Sequence, residues 1–342
     1  MDRRIDQDLP ETFGFLLLSQ FSMICFFSAI EPLRVANRLS GSRLYAWRVY
    51  SVDGAPVAAS NGMTVVADAG IAEAAGIPTV FVCASYEPER GESSAVRAWL
   101  RRLARQGARL GALETGIYAL ARAGLLDGYR ATTHWENAPA FSERFPDIEL
   151  TNELFEVDRK RLTCSGGTAA IDMMLHLIEA RHGRDLAVGV SEQLLHARIR
   201  NPDDHRRMAL GRRLGVRHPR LLKIVETMHD YLEEPLGLDR LAARGGISRR
   251  QLERLFRAHM GDTPTGYYLK LRLRRARQYL EQTDMRVLDV SLACGFSSAP
   301  YFSRAYRAQF GCTPREDRRN LRSNAGRTGY FAPDVDPWAP RH

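Results

Sequence analysis

The stretch LGALETGIYALA carries an apolar run into Glu114-Thr115-Gly116 and then into a helical pattern. That is the strand–turn–helix context in which a nucleophile elbow presents its reactive side chain. Ser or Cys at the tip would perform acyl transfer; here the tip is Glu114. Two readings of it stand open. The N–H groups of the helix start favour an anion, so Glu114 can be a dipole-stabilised, solvated carboxylate. Alternatively it is the floor of a pocket walled by Phe21, Phe26, Tyr86, Tyr118 and Trp135, holding a cation by charge and by aromatic faces. Aromatics of this kind serve equally as core. Gly166-Gly167-Thr168 precedes the helical pattern AAIDMMLHLIEARHG, whose first N–H groups either bind a carboxylate or are capped by Thr168. A cation site and a carboxylate site together would describe a small zwitterion. The candidate ligand-binding set is Phe21, Tyr86, Glu114, Thr115, His134, Trp135, Gly167 and Thr168. His134 reads as a pocket hydrogen-bonding group or a structural one, since a base without a nucleophile cannot run covalent catalysis.

A second group of reactive-looking residues is a concentration of arginines near the C-terminus. Residues 1–211 hold 24 Lys+Arg and 26 Asp+Glu, whereas residues 212–342 hold 25 and 14, so the net +9 is −2 plus +11. Only the second part is expected to meet a polyanion. It also repeats itself at an offset of 50: between 238 and 264, 11 of 27 positions are identical to those 50 further on, from Leu238/Leu288 to Pro264/Pro314. Unrelated segments would share about two. Each copy reads helix, Gly-containing turn, helix. Ser248 with Gln251 has capping-box spacing, and Ser298 is the matching N-cap, with Pro300 in the first turn where its missing N–H is harmless. Leu252, Leu255 and Phe256 face a core in the first copy, and Tyr301, Phe302, Ala305 and Tyr306 in the second. The candidate DNA face is then Ser248, Arg249, Arg250, Arg254 and Arg257 with Ser298, Ala299, Ser303, Arg304 and Arg307. The segment from Pro264 to Gln282 predicts a rigid connecting helix with Leu269, Leu273, Ala276 and Leu280 on one stripe. It would set two recognition helices into successive major grooves, about 34 Å apart. The plainer alternative is an arginine-coated bundle that binds acidic protein.

The elements that position Glu114 alternate strand and helix: Phe13–Leu18, a helix through Asn37, Trp47–Val52, Val80–Ala84, a helix over Ser93–Arg105, Arg109–Leu113 and Ile117–Ala123. Such alternation predicts a mainly parallel sheet covered on both faces, with ligands beyond the carboxyl ends of the strands. A length of 342 residues suits two domains. Five scattered cysteines with no C-x-x-C pair and no His at metal spacing predict reduced thiols, no metal site and no cofactor. The start MDRRIDQDLPE does not read as a secretory signal, and polar residues interrupt the apolar run Phe13–Ile30, so a cytoplasmic, non-membrane protein is expected. Leu186–Ile199 reads as a further helix, the run Arg206, Arg207, Arg212, Arg213 and Arg217 as a solvated linker or extra phosphate contacts, and the Gly/Pro-rich end YFAPDVDPWAPRH as disordered.

GFSSAPYFSRAYRAQFGCTP, ISRRQLERLFRAHMGDTP and the Arg-rich connecting helix resemble the AraC/XylS DNA-binding domain over about residues 220–320. Asp317 departs from it, standing where that family often has an aromatic before Arg318. FSMICFFSAIEPLRVAN, ALETGIYALARAGLLDGYRATTHWE and SGGTAAIDMMLHLIEA resemble the class I glutamine amidotransferase-like domain of GlxA-type AraC regulators over about residues 12–183. The resemblance implies a flavodoxin-like α/β sandwich followed by an all-α domain with two helix-turn-helix units. The expected organisation is a sensor and dimerisation domain over 11–183, a linker over 184–219, the DNA-binding domain over 220–320 and a tail over 321–342. Enzymatic relatives place a catalytic Cys at the position of Glu114 and often an assisting acid where this chain has Cys25; His134 matches their histidine, and Ser85-Tyr86 stands where oxyanion-side glycines are usual.

The expected function is an effector-responsive transcription regulator, an activator of a catabolic operon, with an inactive sensor domain. The resemblance implies double-stranded DNA, RNA polymerase, a second copy of the chain and a small-molecule effector as partners. It associates the sensor with quaternary-ammonium metabolites such as betaine or carnitine, or with basic amino acids such as arginine. Two other classes are distinguishable: an active amidase fused to a DNA-binding domain would turn over amides, and a constitutive DNA-binding protein whose first domain only dimerises would respond to no metabolite.

Overall fold

A computed structural model describes residues 9–74, 76–85, 93–196, 199–200 and 218–324. Its elements begin with β1 (Glu11–Leu17), α1 (Met23–Ser40), β2 (Tyr45–Ser51), β3 (Val57–Ala58), β4 (Thr64–Val65), β5 (Ala69–Gly70) and β6 (Thr79–Ala84). There follow α2 (Ser94–Arg105), β7 (Arg109–Glu114), α3 (Ile117–Arg122), β8 (Arg130–Ala131), α4 (Ala138–Arg144), β9 (Glu149–Leu150), β10 (Phe155–Asp158), β11 (Arg161–Cys164), α5 (Ala169–His182) and α6 (Arg184–Gln193). The chain forms two compact units, the first built on a sheet and the second on the C-terminal helices.

The main sheet has the strand order β10-β11-β7-β6-β1-β2-β5, parallel throughout except for the β10–β11 pair. Strands buried on both faces read as unbroken apolar runs, as Thr79–Ala84 does. On one face Phe13, Phe15, Leu17 and Phe81 pack with Met173, Met174 and Ile178 of α5 and with Leu33 of α1. On α2, Val96, Trp99, Leu100 and Leu103 are buried, and Trp99 meets Tyr50 at 6.4 Å between ring centres. The expected α/β sandwich is therefore the observed one. Helix α6 lies inside the range read as linker, and its Ala187 and Val190 belong to the first unit's core. Residues 201–217, with the linker arginines, lie outside the described residues. So do 325–342; the last helix runs through 321–324 of the range read as tail.

The second unit contains α7 (Pro219–Asp230), α8 (Leu238–Gly245), α9 (Arg249–Met260), α10 (Pro264–Gln282), α11 (Val287–Ala293), α12 (Ala299–Phe310) and α13 (Pro314–Asn324). Helix α10 serves two cores. Its Tyr267, Tyr268 and Leu271 close the core of α7, α8 and α9, while Leu273, Ala276, Tyr279 and Leu280 close that of α11 and α12. The second pair is also braced directly. Arg272 donates from Nε to Cys294 O at 2.7 Å and from Nη2 to Gly295 O at 2.5 Å, and its guanidinium lies 4.1 Å from the Phe296 ring centre. Asp317, the departure noted above, is buried and accepts hydrogen bonds from Tyr306 Oη at 2.8 Å and Arg277 Nε at 3.0 Å. A buried carboxylate needs such partners, and they anchor α13 in place of aromatic packing. Among the described residues no helix is long and apolar enough to cross a membrane.

Candidate effector and DNA-binding sites

The turn after β7 has elbow geometry. Glu114 sits at φ 59°, a left-handed conformation uncommon for a side chain of its size. Gly116 is required behind it, because a Cβ there would lie 2.1 Å from Val82 O. Thr115 Oγ1 donates to Ser85 O at 2.6 Å, and Thr133 Oγ1 donates to Glu114 O at 3.0 Å, so the turn is tied to the two neighbouring chain segments. The carboxylate itself accepts from Ser85 Oγ at 2.7 Å. Gly166, at φ 104°, backs the Glu114 side chain so closely that a Cβ would come within 3.0 Å of Cγ.

Cys164, Cys83 and Glu114 lie close enough to the buried Cys25 thiol to act on its titration. The Cys164 contact, then burial, hold the Cys25 thiol well above its usual range, and burial does the same to Cys83. Both stay protonated at neutral pH, which removes them as nucleophiles. Burial lowers the pKa of His134, opposed by the Glu114 charge. The unfolded imidazole titrates near pH 6.5, so the unfolded chain binds more proton as the solution is acidified. The stability from keeping His134 neutral is complete above about pH 6.5 and is lost as pH falls through its lower folded value. The first unit's melting temperature is thus expected to drop on acidification below about pH 6.5, and His134→Gln to flatten that slope, measured by calorimetry from pH 5 to 8.

Of the expected ligand-binding residues, Glu114, Thr115 and His134 come together at the elbow, and the Trp135 ring lies tilted beside His134, 5.5 Å between ring centres, with 44% of its surface exposed. Gly167 belongs to the loop behind Glu114. Phe21 does not line an opening: it is fully buried and packs edge-on against Phe26, because the apolar face of α1 closes over it. Tyr86 lies outside the described residues. Thr168 makes no side-chain cap; its hydroxyl accepts from Arg200 Nη2 at 3.0 Å. Ser85 as the Glu114 partner, and Gly166 as its backing, escaped the reading by residue type because both contacts span distant strands.

On the second unit, Ser248 Oγ accepts from Gln251 N at 3.3 Å and Gln251 Oε1 accepts from Ser248 N at 3.0 Å, completing the capping box. Ser298 Oγ accepts from Tyr301 N at 3.4 Å. Arg249, Arg250, Arg254 and Arg257 are exposed on α9, and Arg304 and Arg307 on α12; Ala299 and Ser303 are half-buried. Arg249 is engaged by Glu253 at 3.3 Å. One inward assignment is corrected: Tyr301 is 46% exposed, because it falls in the first turn of α12, ahead of the Phe302–Tyr306 stripe that fills the core. It joins the exposed face at the helix start. Helix α10 spans 19 residues, about 28 Å at 1.5 Å per residue.

A model of the helix-turn-helix domain matches residues 241–320, and one of the DJ-1/PfpI family matches residues 23–180. The chain is 51% identical over 313 residues to the HTH-type transcriptional regulator CdhR of Pseudomonas aeruginosa, spanning 92% of this chain and 93% of that one. It is 49% identical over 310 residues to the HTH-type transcriptional regulator GbdR of the same species, spanning 91% and 84%. The chain belongs to the AraC-type transcriptional regulators that carry a DJ-1/PfpI domain. Among solved structures, an AraC family transcriptional regulator from Pseudomonas putida matches 54% of this chain and 100% of its own at 33% identity and a TM-score of 0.51. The chain is therefore a DNA-binding transcriptional regulator, and its elbow holds a carboxylate where a nucleophile would stand.

Proposed function

We propose that this regulator activates transcription in response to a small cationic or zwitterionic metabolite of the betaine, carnitine or basic amino acid type, bound at Glu114. The observation that carries the reading is the carboxylate at φ 59°, held by Ser85 and Gly166 beside neutral thiols. Strained backbone persists where the surroundings over-determine it and a site uses it. A fixed negative charge with Trp135 and His134 alongside suits a quaternary ammonium or guanidinium group. The first unit pairs two copies, and the second recruits RNA polymerase from a bipartite DNA site. Thermal-shift measurements with glycine betaine, L-carnitine and L-arginine, paired with operator-binding assays, test the reading. Stabilisation by one of them with a change in operator affinity or promoter output supports it; no effect of any cationic metabolite on either quantity overturns it.

In the same reading Arg249, Arg250 and Arg254 read base edges from α9, while Arg304 and Arg307 hold phosphates. Arg254→Ala is expected to cost about 1–3 kcal/mol on the preferred site and to relax its sequence preference. Arg307→Ala is expected to weaken all sequences alike and to lower the salt slope by about one. Fluorescence anisotropy on matched and scrambled duplexes across a salt series separates the two.

A further inference from the structure

We propose that Asp172 and Arg200 form a clasp that passes the state of the Glu114 pocket to the chain leading toward the DNA-binding unit. This rests on the pocket reading above and adds the residues that would carry its signal. Asp172, in the first turn of α5, has no exposed surface. Its Oδ1 lies 2.9 Å from His196 Nε2 and accepts from the Arg200 backbone N at 2.7 Å. Its Oδ2 accepts from Arg200 Nε at 3.0 Å and Nη2 at 2.7 Å. All these donors come from the segment that follows α6, the beginning of the connection between the two units.

The same guanidinium reaches the pocket loop. Arg200 Nη2 donates to Thr168 Oγ1, and Thr168 follows the Gly166-Gly167 turn that packs against the Glu114 side chain. One side chain thus joins the connecting segment to the loop whose opposite side is the elbow. Behind it, Ser191 Oγ donates to His196 O at 2.7 Å, and Leu195 is held at φ 53° with 90% of its surface in solvent. A leucine gains nothing from that conformation, so the contacts on either side impose it.

An enclosed carboxylate cannot shed its partners gradually, because an unpaired buried charge is heavily penalised. The clasp is accordingly closed or open, which is the kind of bistable element through which a small shift at a ligand site is amplified. Movement of Glu114 or the glycine turn on ligand binding displaces Thr168 against Arg200 and biases that choice.

The test compares full-length Arg200→Ala and Arg200→Lys with wild type. Binding of glycine betaine, L-carnitine and L-arginine is measured by calorimetry, and transcription is read from a promoter fragment selected by the wild-type protein. Arg200→Ala is expected to bind the active probe within about threefold of wild type, yet to lose at least about fivefold of the probe-dependent change in transcription. Hydrogen exchange over residues 190–200 should speed up, and Arg200→Lys should recover part of the response. A wild-type response in Arg200→Ala overturns the clasp. Loss of probe binding in step with the response does so too, since Arg200 would then be a ligand contact. If Arg200→Ala does not fold, Arg200→Lys carries the same comparison, and wild-type exchange and response in it overturn the proposal. If no probe binds the wild-type protein, the pocket reading fails separately. The clasp is then decided by ligand-free transcription, which Arg200→Ala must change by about fivefold or more at unaltered operator affinity.

Discussion

Gly295→Ala is expected to abolish site-specific DNA binding while leaving the first unit folded. Gly295 lies at φ 72° in the turn between α11 and α12, and a Cβ there would meet Leu232 O at 2.6 Å, Glu233 O at 2.7 Å and Pro235 Cδ at 2.7 Å. Two of those atoms are backbone and the third is a ring, so none can swing aside. The left-handed conformation costs alanine about 1 kcal/mol, and overpacking adds about 1–3 kcal/mol. The Arg272 bonds to Cys294 O and Gly295 O, which pin the same turn, would be disturbed as well. Displacing α12 removes half of a bipartite contact, so operator affinity should fall by about a hundredfold or more, toward non-specific binding. Gly311→Ala is the matched control. Gly311 has φ 79° but nothing within 4 Å of its would-be Cβ, so only the conformational cost of about 1 kcal/mol applies. Anisotropy and circular dichroism melts on both variants decide the matter; equal losses in the two would show that packing between the helix pairs is not what positions α12.

Glu114→Gln is the second large effect expected, and it falls on effector response. The amide keeps the size of the side chain and can still accept from Ser85 Oγ, so the fold should hold within about 1 kcal/mol. What disappears is the fixed negative charge. A hydrogen bond or contact to a charged partner contributes about 1.5–3 kcal/mol, which corresponds to roughly tenfold to a hundredfold in Kd for a cationic effector. Calorimetric titration with the effector identified by thermal shift would measure it, with operator affinity of the effector-free protein as the unchanged reference. Unaltered affinity in Glu114→Gln would sink the idea that the carboxylate holds the cation.

Much of the first unit could be read in advance because its signals are local. The apolar runs at Val80–Ala84 and Arg109–Leu113 and the helical stretch Ser93–Arg105 announce a buried parallel sheet, and the observed elements begin and end within a residue or two of them. The elbow could be placed for the same reason: a strand, a glycine and a helix succeed one another between Arg109 and Arg122. The misreadings have a common cause. Phe21, assigned to a pocket wall, and Tyr301, assigned to a core, are aromatics whose exposure depends on which neighbouring helix covers them. Position alone leaves Thr168 as either a cap or part of a carboxylate site, whereas its hydroxyl is taken by an arginine 32 residues away.

The composition, the 50-residue repeat and the cap residues are properties of the chain itself. They set two units, one basic, with duplicated helix pairs, because charge, helix starts and 3.6-residue periodicity act over a few neighbouring residues. The contacts that give those units a use are of another kind. Ser85 on Glu114, Gly295 against Leu232 and Glu233, and Arg200 on Asp172 join residues 28 to 63 positions apart in sequence, and no local pattern announces them. Each depends on close approach of segments that become neighbours only when the sheet and the helical cores have formed. A backbone turn or a buried carboxylate then accepts one partner and excludes others by distances of a few tenths of an ångström.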